Sequence, residues 1–423
     1  MKKSIYNNLI ATKDNEYLYY NSASGAIAWL DKPTHDAILN NNLSELDAEL
    51  LTALESNGFV VHSAIDEYGR HMNKSKQFKL DMNSNISNFV IAPTMACNLR
   101  CVYCFECGRY SNEKMSEETI NNVYNFIVKS VCERKKERLK ITWFGGEPML
   151  AYPVIEKLST KLISFCDEHE IEYSAAMVTN GTLLTEDIIN DLHSKYRLKN
   201  IQITIDGDNH WYKTLKKGND SHFFDVLNNI LIAGKSPITL ALRLNVCKEN
   251  ASSFYSTLDY LFNDKNFHAY IYIGKLLKYS ADAPFTEAND EDIASLKEYI
   301  TEKTKGFPEY KKIYSKKLEP KGASCGYMVD GRGLIDYKGL IYRCEHQISN
   351  EKLAIGDVVN GFYYNATDNL FLDYQLPEKC KTCSIMPVCM GGCVSDIIFD
   401  NKQTDCESIK NDIFHMVKTI SDI

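Results

Sequence analysis

From residue 86 onward, short apolar runs alternate with longer stretches whose apolar positions recur every three or four residues. The runs at 88–92, 139–144, 172–178, 200–205, 238–246 and 268–273 read as strands, and the stretches at 116–132, 153–169, 185–196, 223–234 and 250–263 as helices. Helix 116–132 shows the logic. Ser116 is a ready N-cap, and Ile120, Val123, Tyr124, Ile127 and Val131 fall on one stripe. Repeated strand–helix units predict a parallel sheet covered by helices.

Before this run, residues 16–20 and 25–30 read as a hairpin across the turn 21–24, and 32–40 as a short helix beginning near Pro33. Residues 43–57 predict a clearer helix, with Leu46, Leu50, Leu51 and Leu54 on one face and Gly58 placed for a left-handed cap. Phe59-Val60-Val61 follows as a closing strand, and 62–79 is polar without a period and reads as a linker. Near the other end, 325–344 predicts a hairpin, with strands near 326–329 and 334–337 or running into Tyr342. The remainder of the tail reads as loop.

Composition narrows the class. A chain of 423 residues suffices for two or three domains. A net charge of −8 without a long basic run argues against a nucleic-acid partner. No window has the apolar length of a membrane span, and the start turns polar after Lys2 and Lys3, so no membrane partner and a cytoplasmic location are expected. Fourteen cysteines in a reducing compartment point to metal ligands rather than disulfides, and seven of them lie from Cys325 onward. Cys132, Cys166 and Cys247 match no ligand spacing and read as buried small apolar residues, while Cys107 reads as a spare thiol.

The densest chemistry is Cys97-Asn98-Leu99-Arg100-Cys101-Val102-Tyr103-Cys104, directly after the first strand of the run. Four thiolates would close a 4Fe–4S cubane, so three leave one iron open to a small ligand; a zinc knuckle is the blander reading. This Cys-x3-Cys-x2-Cys loop resembles that of the radical S-adenosylmethionine (SAM) superfamily. The resemblance implies a partial (β/α)6 TIM-like barrel over residues 86–310, with function at the strands' C-terminal ends. It also implies SAM chelated on the open iron and cleaved to a hydrogen-abstracting 5′-deoxyadenosyl radical. Gly145-Gly146-Glu147-Pro148 resembles the family segment that receives the SAM ammonium, with Glu147 as countercharge. Thr179-Asn180 and Thr204-Ile205-Asp206 resemble segments near the ribose and the methionyl carboxylate, Arg243 is similar to a family arginine that pairs with that carboxylate, and Tyr103 is expected near the adenine. The family's His-Asp and Arg after Asp-Gly are absent: Trp211 displaces the acid, and Lys213 sits where a base would fall.

The tail reads Cys325, then Gly339-x4-Cys344, then Cys380-x2-Cys383-x5-Cys389-x3-Cys393, then Cys406. This resembles the SPASM domain of peptide- and protein-modifying radical SAM enzymes, here over 320–423. By that resemblance Cys380, Cys383, Cys389 and Cys406 hold one auxiliary 4Fe–4S cluster and Cys325, Cys344 and Cys393 another, giving three clusters with the SAM-binding one. Some relatives carry an eighth cysteine where this chain has Asp330 and Asp336; the fourth position of the inner cluster is then open, or taken by a residue such as Asp330 or His346. Residues 1–80 look like a winged-helix unit similar to the RiPP recognition element (RiPP, ribosomally made and post-translationally modified peptide), which binds a leader by strand addition. The expected function is hydrogen abstraction from a residue of a precursor peptide, installing a thioether or carbon–carbon cross-link, with a flavodoxin or ferredoxin as electron donor. The alternative is an anaerobic sulfatase-maturing enzyme forming formylglycine, with Glu345 as base.

Overall fold

The computed structural model describes residues 1–264, 266–279 and 283–421. The chain clusters into two compact units. One comprises Met1–Met82, Lys305–Val329 and Leu370–Ile423; the other comprises Asn83–Thr304 and Asp330–Asn369.

The first unit contains β1 (Lys2–Lys3), β2 (Asn7–Lys13), β3 (Glu16–Asn21), β4 (Ile27–Asp31) and β5 (Val60–Val61). The expected hairpin is β3–β4, antiparallel, and β2 joins it in a three-stranded sheet ordered β2-β3-β4. The closing strand at 60–61 pairs with β1 instead, Lys2 opposite Val61. The helix near Pro33 is Lys32–Asn40, capped by Asp31. The single helix read over 43–57 is broken: a 3-10 turn covers Leu43–Glu45, and the α-helix is Ala48–Ser56, where the Asp47 carboxylate accepts from Leu50 N at 2.8 Å. An N-cap this strong restarts the chain rather than letting it run through.

The region read as a linker is in fact a 19-residue helix, Glu67–Asn85. Its buried stripe is Glu67, His71 and Ser75, one residue per turn and all polar. Each finds a partner within the unit: Glu67 accepts from Ser4 Oγ at 2.5 Å, His71 Nε2 meets Met390 Sδ at 3.3 Å, and Ser75 Oγ donates to the Gly322 carbonyl. A search for apolar periodicity passes over such a helix. The tail holds a second missed helix, Cys406–Ile420, whose buried Ile413 and Val417 pack against Ile10, Leu18 and Tyr20.

The second unit is built on a ten-stranded sheet. Its strands β6 (Ile86–Ile91), β7 (Arg138–Trp143), β8 (Glu172–Thr179), β9 (Leu198–Ile205), β10 (Thr239–Val246) and β11 (Tyr270–Lys275) lie side by side in chain order, all parallel. These are the six strands expected. The sheet extends past β6 through β12 (Gly333–Ile335), parallel to it, and then β13 (Leu340–Tyr342), β14 (Gly356–Asp357) and β15 (Gly361–Phe362). The tail hairpin is therefore β12–β13, and 326–328 is a 3-10 turn rather than a strand.

Burial alternates along the parallel strands with the two-residue period of a pleated sheet. Phe89, Ile141, Met177, Ile203 and Leu242 are fully buried, whereas their neighbours Val90, Thr142, Val178, Gln202 and Arg243 line a cavity. One face is apolar core and the other carries the polar groups. The covering helix Glu117–Glu133 starts as expected, with Ser116 Oγ accepting from Thr119 N at 3.1 Å and Ile120, Val123, Ile127 and Val131 buried. Replacing Ser116 with alanine removes that bond and should destabilise the protein by about 1 kcal/mol, read as a lower denaturant midpoint at unchanged slope.

Candidate functional site

The cavity has a volume of about 500 Å³ and opens at the C-terminal ends of the parallel strands. Cys97, Cys101 and Cys104 lie on its wall together with Tyr103, Gly145, Gly146, Thr179, Asn180, Thr204, Arg243 and Glu345. Burial pushes the Cys101 thiol up to about 12 and the Cys104 thiol up to about 11. Three such thiols on one wall are an adequate donor set for a cubane with one open corner, and binding must displace their protons.

The cysteine loop is held from two sides by backbone. Val102 N donates to the Leu215 carbonyl at 2.8 Å and Arg100 N to the Lys216 carbonyl at 3.2 Å. On the other side Glu147 N donates to the Ala96 carbonyl at 2.7 Å and Gly146 N to the Thr94 carbonyl at 3.3 Å. This approach explains the glycine pair. Gly145 has φ +106°, a Cβ there would lie 2.5 Å from the Thr94 carbonyl oxygen, and a Cβ on Gly146 would lie 2.4 Å from that of Ala96.

Glu147 is fully buried, and its carboxylate is absent from the described cavity wall. It accepts from Thr179 Oγ1 and Asn180 N, both at 2.8 Å, and from Met149 N at 3.1 Å. Burial raises its pKa against those hydrogen bonds. Through these bonds Glu147 fixes Thr179 and Asn180 on the wall. Asn180 in turn donates to Asn98 Oδ1 in the cysteine loop at 2.8 Å.

Asp206 is likewise buried behind the wall, and burial raises its pKa. It accepts from the Tyr103 hydroxyl at 2.6 Å and from Asn245 Nδ2 at 3.1 Å, which anchors the aromatic ring of the loop. The cation beside it is Lys216, which was not singled out from sequence. Lys216 is 1% exposed, donates to both the carbonyl and the hydroxyl of Thr204 at 2.7 Å, and stands 4.0 Å from Asp206 Oδ1. Lys213, the residue that fell where a base belongs, pairs at the surface with Asp220 at 2.8 Å. The turn Tyr212–Lys216 begins after Asp208 caps Trp211 N, which brings Tyr212, Leu215 and Lys216 inward together. The readable signal was that buried 212/215/216 spacing.

Arg243 lies on the wall with its Nε buried and without a hydrogen-bond partner among the described residues. Gly274 makes room for it: a Cβ there would sit 2.3 Å from that nitrogen. Opposite, Phe105 stacks on His346 with ring centroids 4.5 Å apart, beside Glu345 on the wall.

In the first unit, Cys380, Cys383, Cys389 and Cys406 lie within mutual electrostatic reach. After burial, the other three are the largest causes raising the Cys380 thiol. Cys325 and Cys393 belong to that unit and Cys344 to the other. Asp336 accepts from Lys338 N, Leu340 N and the Tyr342 hydroxyl. Asp330 pairs with Arg134 at 3.3 Å. Cys166 and Cys247 are buried as expected, but Cys132 is exposed.

Residues 91–261 match the family model described as the Radical SAM superfamily. The chain is 24% identical over 291 residues to the radical SAM cyclopropyl synthase TigE of Paramaledivibacter caminithermalis, covering 62% of this chain and 59% of that one. It is 24% identical over 368 residues to the cysteine-type anaerobic sulfatase-maturating enzyme of Clostridium novyi, covering 77% of this chain and 94% of that one. Among solved structures, anSMEcpe with bound AdoMet and the Cp18Cys peptide superposes with a TM-score of 0.61 at 18% identity, over 80% of this chain and 98% of that one. Streptococcus suis SuiB bound to precursor peptide SuiA gives 0.52 at 15% identity, over 94% and 96%. These likenesses show the fold.

Two outcomes test the site. Gly146→Ala should displace the segment entering Cys97, so that reconstituted protein binds one cluster's iron fewer than wild type by iron and sulfide analysis. Lys216→Met should weaken SAM binding at least tenfold by equilibrium dialysis, whereas Lys216→Arg should largely retain it; equal binding by all three would contradict the reading of Lys216. Three thiols lie on the wall of a parallel α/β sheet whose residues 91–261 match the Radical SAM superfamily model, and that family implies a 4Fe–4S cluster and SAM.

Proposed function

We propose that the protein is a radical SAM peptide maturase that removes hydrogen from a residue of a ribosomally made precursor peptide and leaves a thioether or carbon–carbon cross-link. A 4Fe–4S cluster on Cys97, Cys101 and Cys104, with SAM at its open iron, supplies the hydrogen-abstracting chemistry when bound. Two auxiliary clusters, on Cys380, Cys383, Cys389 and Cys406 and on Cys325, Cys344 and Cys393, and an electron donor such as a flavodoxin or ferredoxin, complete the reading.

The chain's own residues have separable tasks. Tyr103, held by Asp206, offers its ring to the adenine. Thr179 and Asn180, fixed by Glu147, line the wall toward the ribose. Lys216 and Arg243 provide the positive charge that the methionyl carboxylate requires. Glu345 and His346 face the same cavity and are placed to hold or accept a substrate proton.

The observation that carries the peptide reading is the hairpin-and-helix region of the first unit. It presents β4 as an edge strand with Trp29 37% exposed, a surface suited to strand addition by a leader. Two relatives point the same way: SuiB was solved with its precursor peptide, and anSMEcpe with a peptide. The sulfatase-maturing alternative is kept by one observation, Glu345 on the cavity wall after Cys344, alongside the 94% coverage of the Clostridium novyi relative.

Co-expression with any short reading frame found beside the gene, followed by mass spectrometry, decides between them. The maturase reading expects loss of two hydrogens per cross-link, one from each joined residue, with no aldehyde. A hydrazide-reactive aldehyde on a sulfatase-type Cys or Ser peptide, with the neighbouring peptide unchanged, would overturn it.

A further inference from the structure

Tyr6 is 1% exposed and packs in one cluster with Cys380, Met386 and Met390, with Cys383, Tyr68 and Met72 against it. Its hydroxyl has no hydrogen-bond partner among the described residues. An orphaned buried hydroxyl costs about 1–3 kcal/mol, so a well-packed core does not keep one without an acceptor. The nearest carboxylate is not available for it: Glu67 is occupied by Ser4 Oγ at 2.5 Å and by Ile5 N at 3.2 Å. The thiols of Cys380 and Cys383 belong to the same cluster, beside the Tyr68 side chain.

The position of Tyr6 relative to those thiols is fixed. Ser384, the residue after Cys383, is bound three times by the N-terminal segment: its hydroxyl donates to Asn8 Oδ1 at 2.6 Å, and its carbonyl accepts from Asn8 Nδ2 at 3.2 Å and Ser22 Oγ at 2.5 Å. Strand β2, the β3–β4 turn and the Cys380–Cys383 loop therefore form one hydrogen-bonded body.

We propose that the Tyr6 hydroxyl donates a hydrogen bond to a sulfur of the auxiliary cluster held by Cys380, Cys383, Cys389 and Cys406, and so raises that cluster's reduction potential. The inference rests on the reading of those four cysteines as cluster ligands. Hydrogen bonds to cluster sulfurs stabilise the reduced, more negative state, and removing one moves the potential downward. Tyr6 is a tuning residue here, not a catalytic one.

Tyr6→Phe keeps the ring and removes only the donor. In the anaerobically reconstituted full chain, iron and sulfide content should match wild type. EPR-monitored redox titration should show the auxiliary signal shifted to more negative potential and the SAM-responsive signal unmoved. Tyr20→Phe is the comparator: it removes a hydroxyl that donates to the Leu318 carbonyl at 2.7 Å in the same unit, and should lower stability without moving either potential. An auxiliary potential in Tyr6→Phe equal to that of wild type, or shifted equally by Tyr20→Phe, overturns the inference alone. A wild-type protein that holds no auxiliary cluster overturns the ligand reading, and this inference with it.

Discussion

The second unit depends on the grip on the cysteine loop. A loop carrying three thiols has no core of its own, yet its sulfurs must be held where a cubane can span them. Here the loop is hydrogen-bonded through backbone to the 215–216 segment on one side and to the Gly145-Gly146-Glu147 turn on the other. Both contacts come from segments that follow parallel strands, so the sheet sets the loop's position. Because the partners are peptide groups, the constraint falls on shape: two glycines where a Cβ would strike a carbonyl, and a buried carboxylate that holds the turn together from inside.

The charged groups around the loop follow from this. Asp206 and Glu147 are carboxylates taken wholly out of water, which is tolerable only because each accepts several hydrogen bonds and Lys216 lies nearby. Their acceptor capacity is used to orient Tyr103, Thr179 and Asn180, and these, with Lys216 and Arg243, are what the cavity meets. The acids that stand out in the sequence work one layer back, and the groups on the wall are the ones they hold.

Much of this was legible beforehand. The six parallel strands follow from the short apolar runs between helix-period stretches. Part of what was missed is structure whose buried face is polar or whose register depends on a cap. The helix Glu67–Asn85 hides behind Glu67, His71 and Ser75; the break at Asp47 comes from one capping carboxylate; and Lys216 is turned inward by a single tight turn after Asp208. That Glu147 also accepts from Met149 N, Thr179 Oγ1 and Asn180 N is a matter of acceptor geometry that no linear pattern displays. Of the seven tail cysteines, Cys344 belongs to the second unit and the other six to the first.

The central claim is that the three thiols on the cavity wall hold an iron–sulfur cluster with a corner free for SAM. Anaerobic reconstitution of wild type and Cys101→Ala, with iron content and 5′-deoxyadenosine formation measured under reducing conditions, tests it most directly. The account predicts that wild type cleaves SAM, and that Cys101→Ala loses both that activity and one cluster's iron while retaining the iron of the Cys380 group. Zinc in place of iron in the wild-type protein, or undiminished deoxyadenosine formation by Cys101→Ala, would contradict it.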